Sequence, residues 1–495
     1  MQYGARCATA AELMPLFAFL LFLAAPPQDD PAEQLARDLK KMIDVFSIAD
    51  REAADPVSPE QAFYQGAIPG MLKTLDPHSI FFDPGQFEQL KQMQNSESKG
   101  FGSIVSVLPG RVIVLQAMEG TPSAKSGLTA GDEILAINGY ELARLEFEQL
   151  VELLTVARQR EAQLYVRRPG NARVLRFTLK PELVDTPSID RAFLLTPQIG
   201  YLRIASFDEA TGKLARDKIE SLGGENLKGL VIDLRDNPGG AVQAALETAS
   251  LFLNPDQLVF SVKGRSAKTE EVHVPKLARP YKFPVAVLIN GKSASASEIL
   301  SGALQDHDRA TILGEPSYGK GLVQRVFTLT SNTGLALTTA FYYTPSGRSI
   351  QKPLAFGQLD SKAIVPLGSF HTDAGREVRG GGGIQPDEAV GPAQLTRLEM
   401  VLDASGSITT FASEYVQKHE IAPDFDVTPE LLDELRVFLS TNRIQPPVSD
   451  FLKDRAWIQN RLKQEIVNLK FGVAKGDEIE MQRDVVVQTA LKKLR

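Results

Sequence analysis

The spacing of hydrophobic positions changes several times along the chain. From residue 31 to about 98, apolar residues recur at helical spacing between charged ones, which predicts helices joined by turns at two Asp-Pro pairs. From 99 to 184, short runs rich in β-branched residues alternate with Gly, Asn and Asp turn signals around one amphipathic stretch, FEQLVELLTVAR. This pattern of short β-rich runs predicts a small, partly open β-barrel with a single helix.

The segment from about 189 to 390 alternates buried-type strands with helices. The pattern runs through IGYLRIASF, LARDKIESL, GLVIDLR, QAALETASLFL and FPVAVLIN. Such alternation is typical of an α/β fold. The tail from 391 to 495 is helical and charged, and it is predicted to serve as a packing or oligomer surface rather than as a catalytic site.

The longest apolar run lies near the N-terminus, from Leu13 to Ala25. At 13 residues it is shorter than the roughly 20 that a membrane-spanning helix needs. It ends in small residues before a polar stretch, so residues 1–25 are predicted to be a Sec signal peptide; a buried N-terminal helix is the alternative. We therefore expect an extracytoplasmic, periplasmic protein, with membrane association left open.

Composition excludes several classes of function. At 495 residues the chain has room for about three domains of the usual size. The formal net charge is −7, so the chain lacks the excess of Lys and Arg that is typical of a nucleic-acid-binding protein. The single cysteine, Cys7, permits no internal disulfide and no cysteine metal cluster, and the five histidines form no His-Glu-x-x-His pair. We accordingly expect no metal cofactor.

Candidate chemistry follows the strand VAVLIN, where GKSASASEILSGALQDH leads from small residues into a helix. Free N–H groups at a helix start can stabilise an oxyanion, which makes a serine at this junction a candidate nucleophile. Ser293, Ser295 and Ser297 compete, and spacing alone does not choose between them. All three could instead cap the helix, and the segment departs from the Gly-x-Ser-x-Gly pattern of α/β-hydrolases.

A serine nucleophile needs a base. If 296–306 is helical, His307 lies twelve residues beyond Ser295, roughly 18 Å along the axis, and cannot reach its hydroxyl. Lys320, between two glycines, is the next candidate, because burial favours the neutral amine. In an extended strand Gln324 would share a face with Lys320 and could orient its amine.

The same segment partly fits a nucleotide-binding loop. Residues 314–320, GEPSYGK, match seven positions of the P-loop pattern. The eighth position is Gly321, which has no hydroxyl for magnesium, and the following LVQRVFTL is predicted to be a strand where a P-loop requires a helix. A nucleotide hydrolase is therefore disfavoured.

Taken together, these segments resemble the carboxy-terminal processing peptidases, a Ser–Lys serine protease family, from about residue 67 to 387. The matching stretches include LDPHSIFFDPGQF, KGFGSIV, EGTPSAKSGLTAGDEILAINGYEL, GLVIDLRDNPGG, SASASEILSGALQDHDRATILGEPSYGKGLVQ and GGGGIQPD. The resemblance implies that Ser295 is the nucleophile, Lys320 the general base and Gln324 the residue that orients the lysine.

The resemblance also implies an α/β (α+β) multi-domain fold: a ClpP/crotonase-like protease core with an inserted PDZ domain and helical ends. The expected boundaries are 1–25 for the signal peptide, 26–98 for an N-terminal helical domain, 99–184 for the PDZ domain, 185–390 for the core and 391–495 for a C-terminal helical region. The implied peptide-binding loop is Gly100-Phe101-Gly102. The implied oxyanion hole uses the Ala296 N–H with Gly239 or Gly240.

The function so implied is a serine endopeptidase that binds protein C-terminal tails through its PDZ domain and cleaves them near that end. Expected partners are protein substrates with free C-termini, an activating adaptor and further copies of the chain. The resemblance implies no organic cofactor. The alternative is a catalytically silent PDZ scaffold. Asp233 and Arg235 are predicted to be structural, and Arg167 and Arg168 are candidates for sensing bound peptide.

Overall fold

The computed structural model describes residues 30–94, 97–265, 269–353 and 369–495. These form two compact units, divided between Pro69 and Gly70. The expected signal peptide lies outside the described residues. Among the helices that are described, none is both long and apolar enough to cross a membrane.

The first unit is helical. Helix α1, Pro31–Glu52, begins where the Asp30 carboxylate accepts the Ala32 N–H at 3.0 Å, with proline in its first turn. A π-helical segment, Gln61–Ala67, runs directly into α2, Ile68–Lys73, which leads to the second unit. No residue of α1 is buried.

The second unit opens with a short strand that the helical pattern did not predict. Strand β1, Ile80–Phe82, pairs antiparallel with β18, Gly334–Tyr343, before α3, Pro84–Gln94, begins. Three residues are too few to display a strand's alternation of apolar and polar positions, so only pairing with a distant strand identifies β1.

The β-rich segment forms its own antiparallel sheet, in the order β3-β4-β5-β7-β8 with β6 added to β5. The strands are β3 Ser103–Leu108, β4 Arg111–Ala117, β5 Glu133–Ile137, β6 Tyr140–Glu141, β7 Ala162–Arg167 and β8 Leu175–Leu179. Helices α4, Pro122–Ser126, and α5, Phe147–Ala157, complete this domain. The pair β2, Glu97–Gly100, and β9, Glu182–Asp185, joins its two ends.

The α/β segment builds the main sheet, in the order β10-β11-β12-β15-β16-β21, parallel except for β10. Its strands are β10 Ile189–Thr196, β11 Ile199–Ile204, β12 Gly229–Asp233, β15 Val285–Ile289, β16 Ala310–Gly314 and β21 Glu388–Ala389. One face packs on α6 Thr211–Ser221, α7 Val242–Ala249 and α8 Ala296–Asp306. Because both faces are covered, β12 and β15 are buried throughout.

A second sheet lies beside the first and consists of β1, β13, β14, β17 and β18. The remaining bounds are β13 Leu258–Lys263, β14 Glu270–His273 and β17 Leu322–Thr328. A small hairpin, β19 Ser369–His371 with β20 Glu377–Arg379, follows. The strand predicted after Gly321 is confirmed as β17.

The tail is helical, as predicted. It comprises α9 Arg397–Ser405, α10 Ser407–Lys418, α11 Pro429–Thr441, α12 Val448–Lys453, α13 Arg455–Phe471, α14 Val473–Met481 and α15 Val485–Lys493. Helices α9 to α13 share one apolar core, whereas α15 packs on the second face of the main sheet.

Candidate active site

The junction between β15 and α8 places Ser295 in a strained backbone conformation. Ser295 is the N-cap of α8 and has φ 54° and ψ −111°, outside the regions that non-glycine residues normally occupy. Such strain costs about 1–3 kcal/mol and tends to occur at functional sites, where the surrounding structure maintains it. Helix α8 itself is buried along its whole length, which supplies that support.

The structure separates the three candidate serines by what their hydroxyl groups contact. Ser293 Oγ donates to the Leu234 carbonyl at 2.8 Å, and Ser297 Oγ donates to the Asn237 carbonyl at 3.1 Å. Both side chains are fully buried. Ser295 is partly exposed, so it is the serine of the three that a substrate can reach.

The carboxylate of Glu298 connects the two halves of the site. It is fully buried, and its Oε2 accepts both the Ser295 N–H and the Lys320 N–H at 2.9 Å. Its Oε1 accepts the Gly319 N–H at 2.7 Å and the Ser317 hydroxyl at 2.5 Å. Burial raises the pKa of Glu298, and these four hydrogen bonds act against that rise.

Sequence reasoning missed Glu298, although a signal for it was present. Ser295 and Glu298 form the Ser-x-x-Glu pattern of a capping box, in which the glutamate reaches back to the N-cap backbone. The additional contacts with the loop that carries Lys320 have no local sequence signature, because 22 residues separate the two positions.

The side chains of Lys320 and Gln324 meet as predicted, but Lys320 lies in the loop before β17 and not in the same strand as Gln324. Lys320 Nζ donates to Gln324 Oε1 at 2.7 Å, and Gln324 Nε2 donates to the His78 carbonyl at 2.6 Å. Among the described residues, no hydrogen bond joins Ser295 Oγ to Lys320 Nζ. The two residues are nevertheless neighbours, because each backbone nitrogen lies 2.9 Å from the same Glu298 oxygen.

The surroundings of Lys320 favour its neutral form. Burial lowers the pKa of the amine below its ordinary value of 10.5, while the negative charges of Asp76 and Glu298 act in the opposite direction. The amine is therefore partly withdrawn from solvent and easier to deprotonate than a surface lysine.

The two candidate oxyanion glycines differ in what their N–H groups do. Gly239 is buried beside Ser295, since a Cβ built on it would lie 2.8 Å from Ser295 Cβ and 3.0 Å from the Ala296 nitrogen. Its own N–H, however, donates to Asn237 Oδ1 at 2.8 Å. Within the described part of the chain, the N–H groups of Gly240 and Ala296 have no acceptor. An oxyanion hole that uses Gly239 thus requires Asn237 to release it.

Asp233 and Arg235 form an ion pair at the end of β12. Asp233 also accepts the Tyr201 hydroxyl at 2.7 Å, and Arg235 reaches Asp484 at 2.7 Å. The pair ties the glycine loop to the start of α15, and both side chains are occupied by these contacts.

His307 caps the far end of α8, where Nδ1 contacts Asp373 at 2.7 Å and Nε2 contacts the Leu258 carbonyl at 2.7 Å.

The loop Gly100-Phe101-Gly102 exposes backbone donors. The carbonyls of Phe101 and Gly102 accept the N–H groups of Ser123 and Met118, each at 2.9 Å. The N–H groups of Phe101 and Gly102 have no acceptor among the described residues. Gly102 has φ 72°, and a Cβ there would overlap Thr121, so no other residue fits without strain.

This loop stands at one end of an apolar groove between β3 and α5. The groove encloses about 460 Å³ and is lined mainly by aliphatic side chains, among them Ile104, Val105, Val151, Leu154 and Leu179. Strand β3 is at the edge of its sheet and pairs there only with β4. An edge strand beside an apolar groove can accept an extended peptide as an added strand.

The two arginines proposed to sense peptide are engaged elsewhere in the domain. Arg168 binds Asp132 through two contacts of 2.7 Å and also donates to the Gly127 carbonyl, and Arg167 pairs with Glu133. Neither contributes to the groove between β3 and α5.

Across the described ranges, no group of three or more His, Cys, Asp or Glu side chains could hold a metal ion.

Two family models match parts of the chain. Residues 198–357 match Peptidase family S41, and residues 113–168 match a PDZ domain. A solved photosystem II D1 C-terminal processing protease has a TM-score of 0.41 at 23% identity, covering 73% of this chain and 94% of that one.

Two relatives share most of their length with the chain. A carboxy-terminal-processing protease of Bartonella bacilliformis is 34% identical over 341 residues, which cover 68% of this chain and 78% of the relative. A carboxy-terminal processing protease of Bacillus subtilis is 30% identical over 351 residues, covering 69% and 72%. The chain therefore belongs to the carboxy-terminal-processing protease family and is a serine-type S41 peptidase with a PDZ domain and helical terminal regions.

Proposed function

We propose that the protein is an endopeptidase that captures the C-terminal tail of a protein substrate in its PDZ groove and cleaves it with a Ser295–Lys320 dyad. The observation that carries this proposal is the shared acceptor: Glu298 Oε2 holds the backbones of the strained serine and of the partly buried lysine side by side. Such a connection keeps a serine and a lysine adjacent, and their hydroxyl and amine are the two groups that a Ser–Lys peptidase needs.

Catalysis begins with proton transfer. A neutral Lys320 donates an N–H to Gln324 Oε1, which leaves its lone pair free to accept the Ser295 proton. The Ser295 oxygen then attacks the peptide carbonyl, and the lysinium protonates the leaving amine. Lys320, neutral again, deprotonates the water that hydrolyses the acyl-enzyme. The hydroxyl–amine contact forms after a side-chain rotation, since it is absent from the described arrangement.

Charge on the tetrahedral intermediate is stabilised by backbone donors. The Ala296 N–H at the start of α8 is free and adjacent to the nucleophile, and the helix end favours negative charge. A glycine of the 239–240 pair supplies the second donor. With Gly240 the donor is already free, whereas with Gly239 substrate binding must displace the Asn237 amide.

The PDZ domain recognises the substrate tail. The free N–H groups of Phe101 and Gly102 bind the terminal carboxylate, β3 pairs with the tail, and the groove receives apolar side chains. A substrate whose C-terminus is amidated loses the charge-assisted contacts and should be cleaved more slowly. A silent PDZ scaffold is less well supported, because the chain retains Ser295, Lys320 and Gln324.

The test is cleavage of a partly unfolded protein substrate with a free or amidated C-terminus, followed by mass spectrometry of the fragments. Ser295→Ala and Lys320→Ala should each lower turnover by about 10³-fold or more while both variants stay folded. Lys292→Ala, an exposed lysine three residues before Ser295, is the matched control and should retain activity. Full turnover in either dyad variant contradicts the proposal.

Self-association is assigned to α1. Its exposed face carries Leu35, Leu39 and Met42, whose spacing of four and three residues matches a coiled-coil seam. Leu39→Glu should lower the oligomeric mass measured by light scattering. If an adaptor protein raises the turnover of the native chain but not that of Leu39→Glu, the adaptor also binds α1.

The protein is further proposed to act outside the cytoplasm, on the basis of the apolar run from Leu13 to Ala25. Cell fractionation with sequencing of the mature N-terminus tests this. A mature chain that begins after Ala25 in the periplasmic fraction supports the assignment, and an uncleaved cytosolic chain contradicts it.

A further inference from the structure

A tight turn beside the lysine, Asp76 to Ser79, has no assigned part in the chemistry. Asp76 is 1% exposed, and its Oδ1 accepts the N–H groups of His78 at 2.7 Å and Ser79 at 2.8 Å. Its Oδ2 accepts the Ser79 hydroxyl at 2.7 Å. A buried carboxylate with three short hydrogen bonds inside one turn fixes the backbone of that turn.

The turn reaches the lysine through one carbonyl group. The His78 carbonyl accepts Gln324 Nε2 at 2.6 Å, and Gln324 Oε1 accepts Lys320 Nζ at 2.7 Å. A carbonyl can only accept a hydrogen bond, so it selects the nitrogen end of the Gln324 amide. The oxygen end is then left for the lysine, and the His78 carbonyl thereby determines which way the amide faces.

The turn is also attached to the strand pair that carries Gln324. Ser79 Oγ accepts the Thr338 N–H at 3.1 Å, and Thr338 is the register partner of Gln324 in the β17–β18 ladder. The residues that follow Ser79 form β1, which pairs with the same strand β18. The turn therefore contacts the Gln324 side chain through the His78 carbonyl, and it contacts the strand paired with Gln324 through Ser79.

We propose that the Asp76–Ser79 turn is a positioning element for the general base: Asp76 holds the His78 carbonyl against Gln324, and its negative charge faces the Lys320 amine. The proposal rests on the proposed function of Lys320. Asp76 and His78 touch neither the substrate nor the reacting atoms in this assignment. They act through Gln324 and through the electrostatic field at Lys320.

Three ionisable groups, Asp76, Glu298 and His78, interact electrostatically with the Lys320 amine. Asp76 and Glu298 raise the pKa of Lys320 against the lowering effect of burial. The pKa of the His78 imidazole is lowered by burial and then by the charge of Lys320. Removing the Asp76 charge should therefore lower the lysine pKa further, because a stabilising anion is lost while the desolvation remains.

Two substitutions at Asp76 separate charge from hydrogen bonding. Asp76→Asn keeps an oxygen for the two N–H groups, and its amide can donate to the Ser79 hydroxyl, so the turn is retained without its charge. Asp76→Ala removes both. The control is Asp83→Asn, which removes the charge from a carboxylate that caps α3 seven residues further on while keeping a capping side chain.

The measurements are an NMR titration of the ¹³C-labelled Lys320 side chain, assigned by comparison with Lys320→Ala, and the pH profile of kcat/KM. In Asp76→Asn the lysine titration and the acid limb of the profile should both move to lower pH. In Asp76→Ala, kcat should fall by about tenfold or more with KM little changed, because the base is misplaced rather than the substrate. Asp83→Asn should change neither.

A double variant tests whether Asp76 acts through Gln324. If it does, Asp76→Ala with Gln324→Ala should lose no more activity than the worse single variant. An unchanged lysine titration in Asp76→Asn, or losses that simply add in the double variant, overturns the proposal. The titration is also recorded in Ser295→Ala, which needs no turnover, so failure of the turn's role is distinguishable from failure of the dyad.

Discussion

Ser295 and Lys320 donate their backbone N–H groups to the same oxygen of the buried Glu298 carboxylate. The contact joins the start of α8 to the loop before β17, two segments far apart in the sequence. All four groups that donate to Glu298 belong to these two segments, so the glutamate keeps Ser295 and Lys320, the proposed nucleophile and base, side by side.

Glu298→Gln tests this role directly. In either orientation the amide nitrogen of glutamine would face at least one backbone N–H donor and leave it unpaired in the interior, so the free energy of unfolding should fall by about 2 kcal/mol or more. Chemical denaturation gives that value, and peptidase activity should fall with it. Glu315→Gln, on the exposed loop after β16, is the control. Unchanged stability in Glu298→Gln would contradict the role.

Gln324→Glu should move the pH dependence of activity in a defined direction. A carboxylate beside Lys320 stabilises the ammonium ion and raises the lysine pKa, and a protonated lysine cannot accept the Ser295 proton. The acid limb of kcat/KM should shift to higher pH, with activity depressed near neutrality. A profile that stays in place would show that Gln324 does not contact the working form of the base.

Gly239→Ala should abolish acylation of Ser295. The new methyl group would press on the Ala294 carbonyl oxygen, on Ser295 Cβ and on the Ala296 nitrogen, where the proposed oxyanion binds. Gly347→Ala is the matched control, because Gly347 also has a positive φ but its Cβ would meet open space. Labelling of Ser295 by a fluorophosphonate should be lost in the first variant only; labelling at the native rate in Gly239→Ala would exclude this glycine from the site.

Gly102→Ala should weaken tail binding. The change strains a backbone with φ 72° and forces the loop away from Thr121, so its free N–H groups move. Fluorescence anisotropy with a peptide bearing a free carboxylate should show at least about tenfold weaker binding, with the amidated peptide weak throughout. Gly120→Ala, also at positive φ in this domain but with open space around it, controls for backbone strain. Equal affinities for both peptides would argue against tail capture.

Much of the fold was predictable because its signals are local. The five longer strands of the PDZ sheet, the buried strands β12 and β15 and helix α8 all follow from the period and composition of short segments. Strand β1 was not, since three residues carry no period and only their pairing with β18 makes them a strand.

In the candidate site too, contacts between residues close in the sequence were predictable and contacts between distant residues were not. Gln324 lies four residues from Lys320, so their contact could be suggested from the sequence, although Lys320 precedes β17 and does not share a strand face with Gln324. The contacts of Glu298 with Lys320 and of His78 with Gln324 span 22 and 246 residues. Such contacts depend on how whole segments pack. His78 contributes a backbone carbonyl, and because every residue type has one, the sequence cannot predict this contact.

The most direct test of the central claim is the rate at which a fluorophosphonate labels Ser295 across a range of pH, followed by intact mass spectrometry in the native chain and in Lys320→Ala. A neutral Lys320 base predicts a single rise in rate with pH, with its midpoint below the ordinary lysine value of 10.5, and near-complete loss in Lys320→Ala. Labelling of Lys320→Ala at the native rate, or on a residue other than Ser295, would contradict the account.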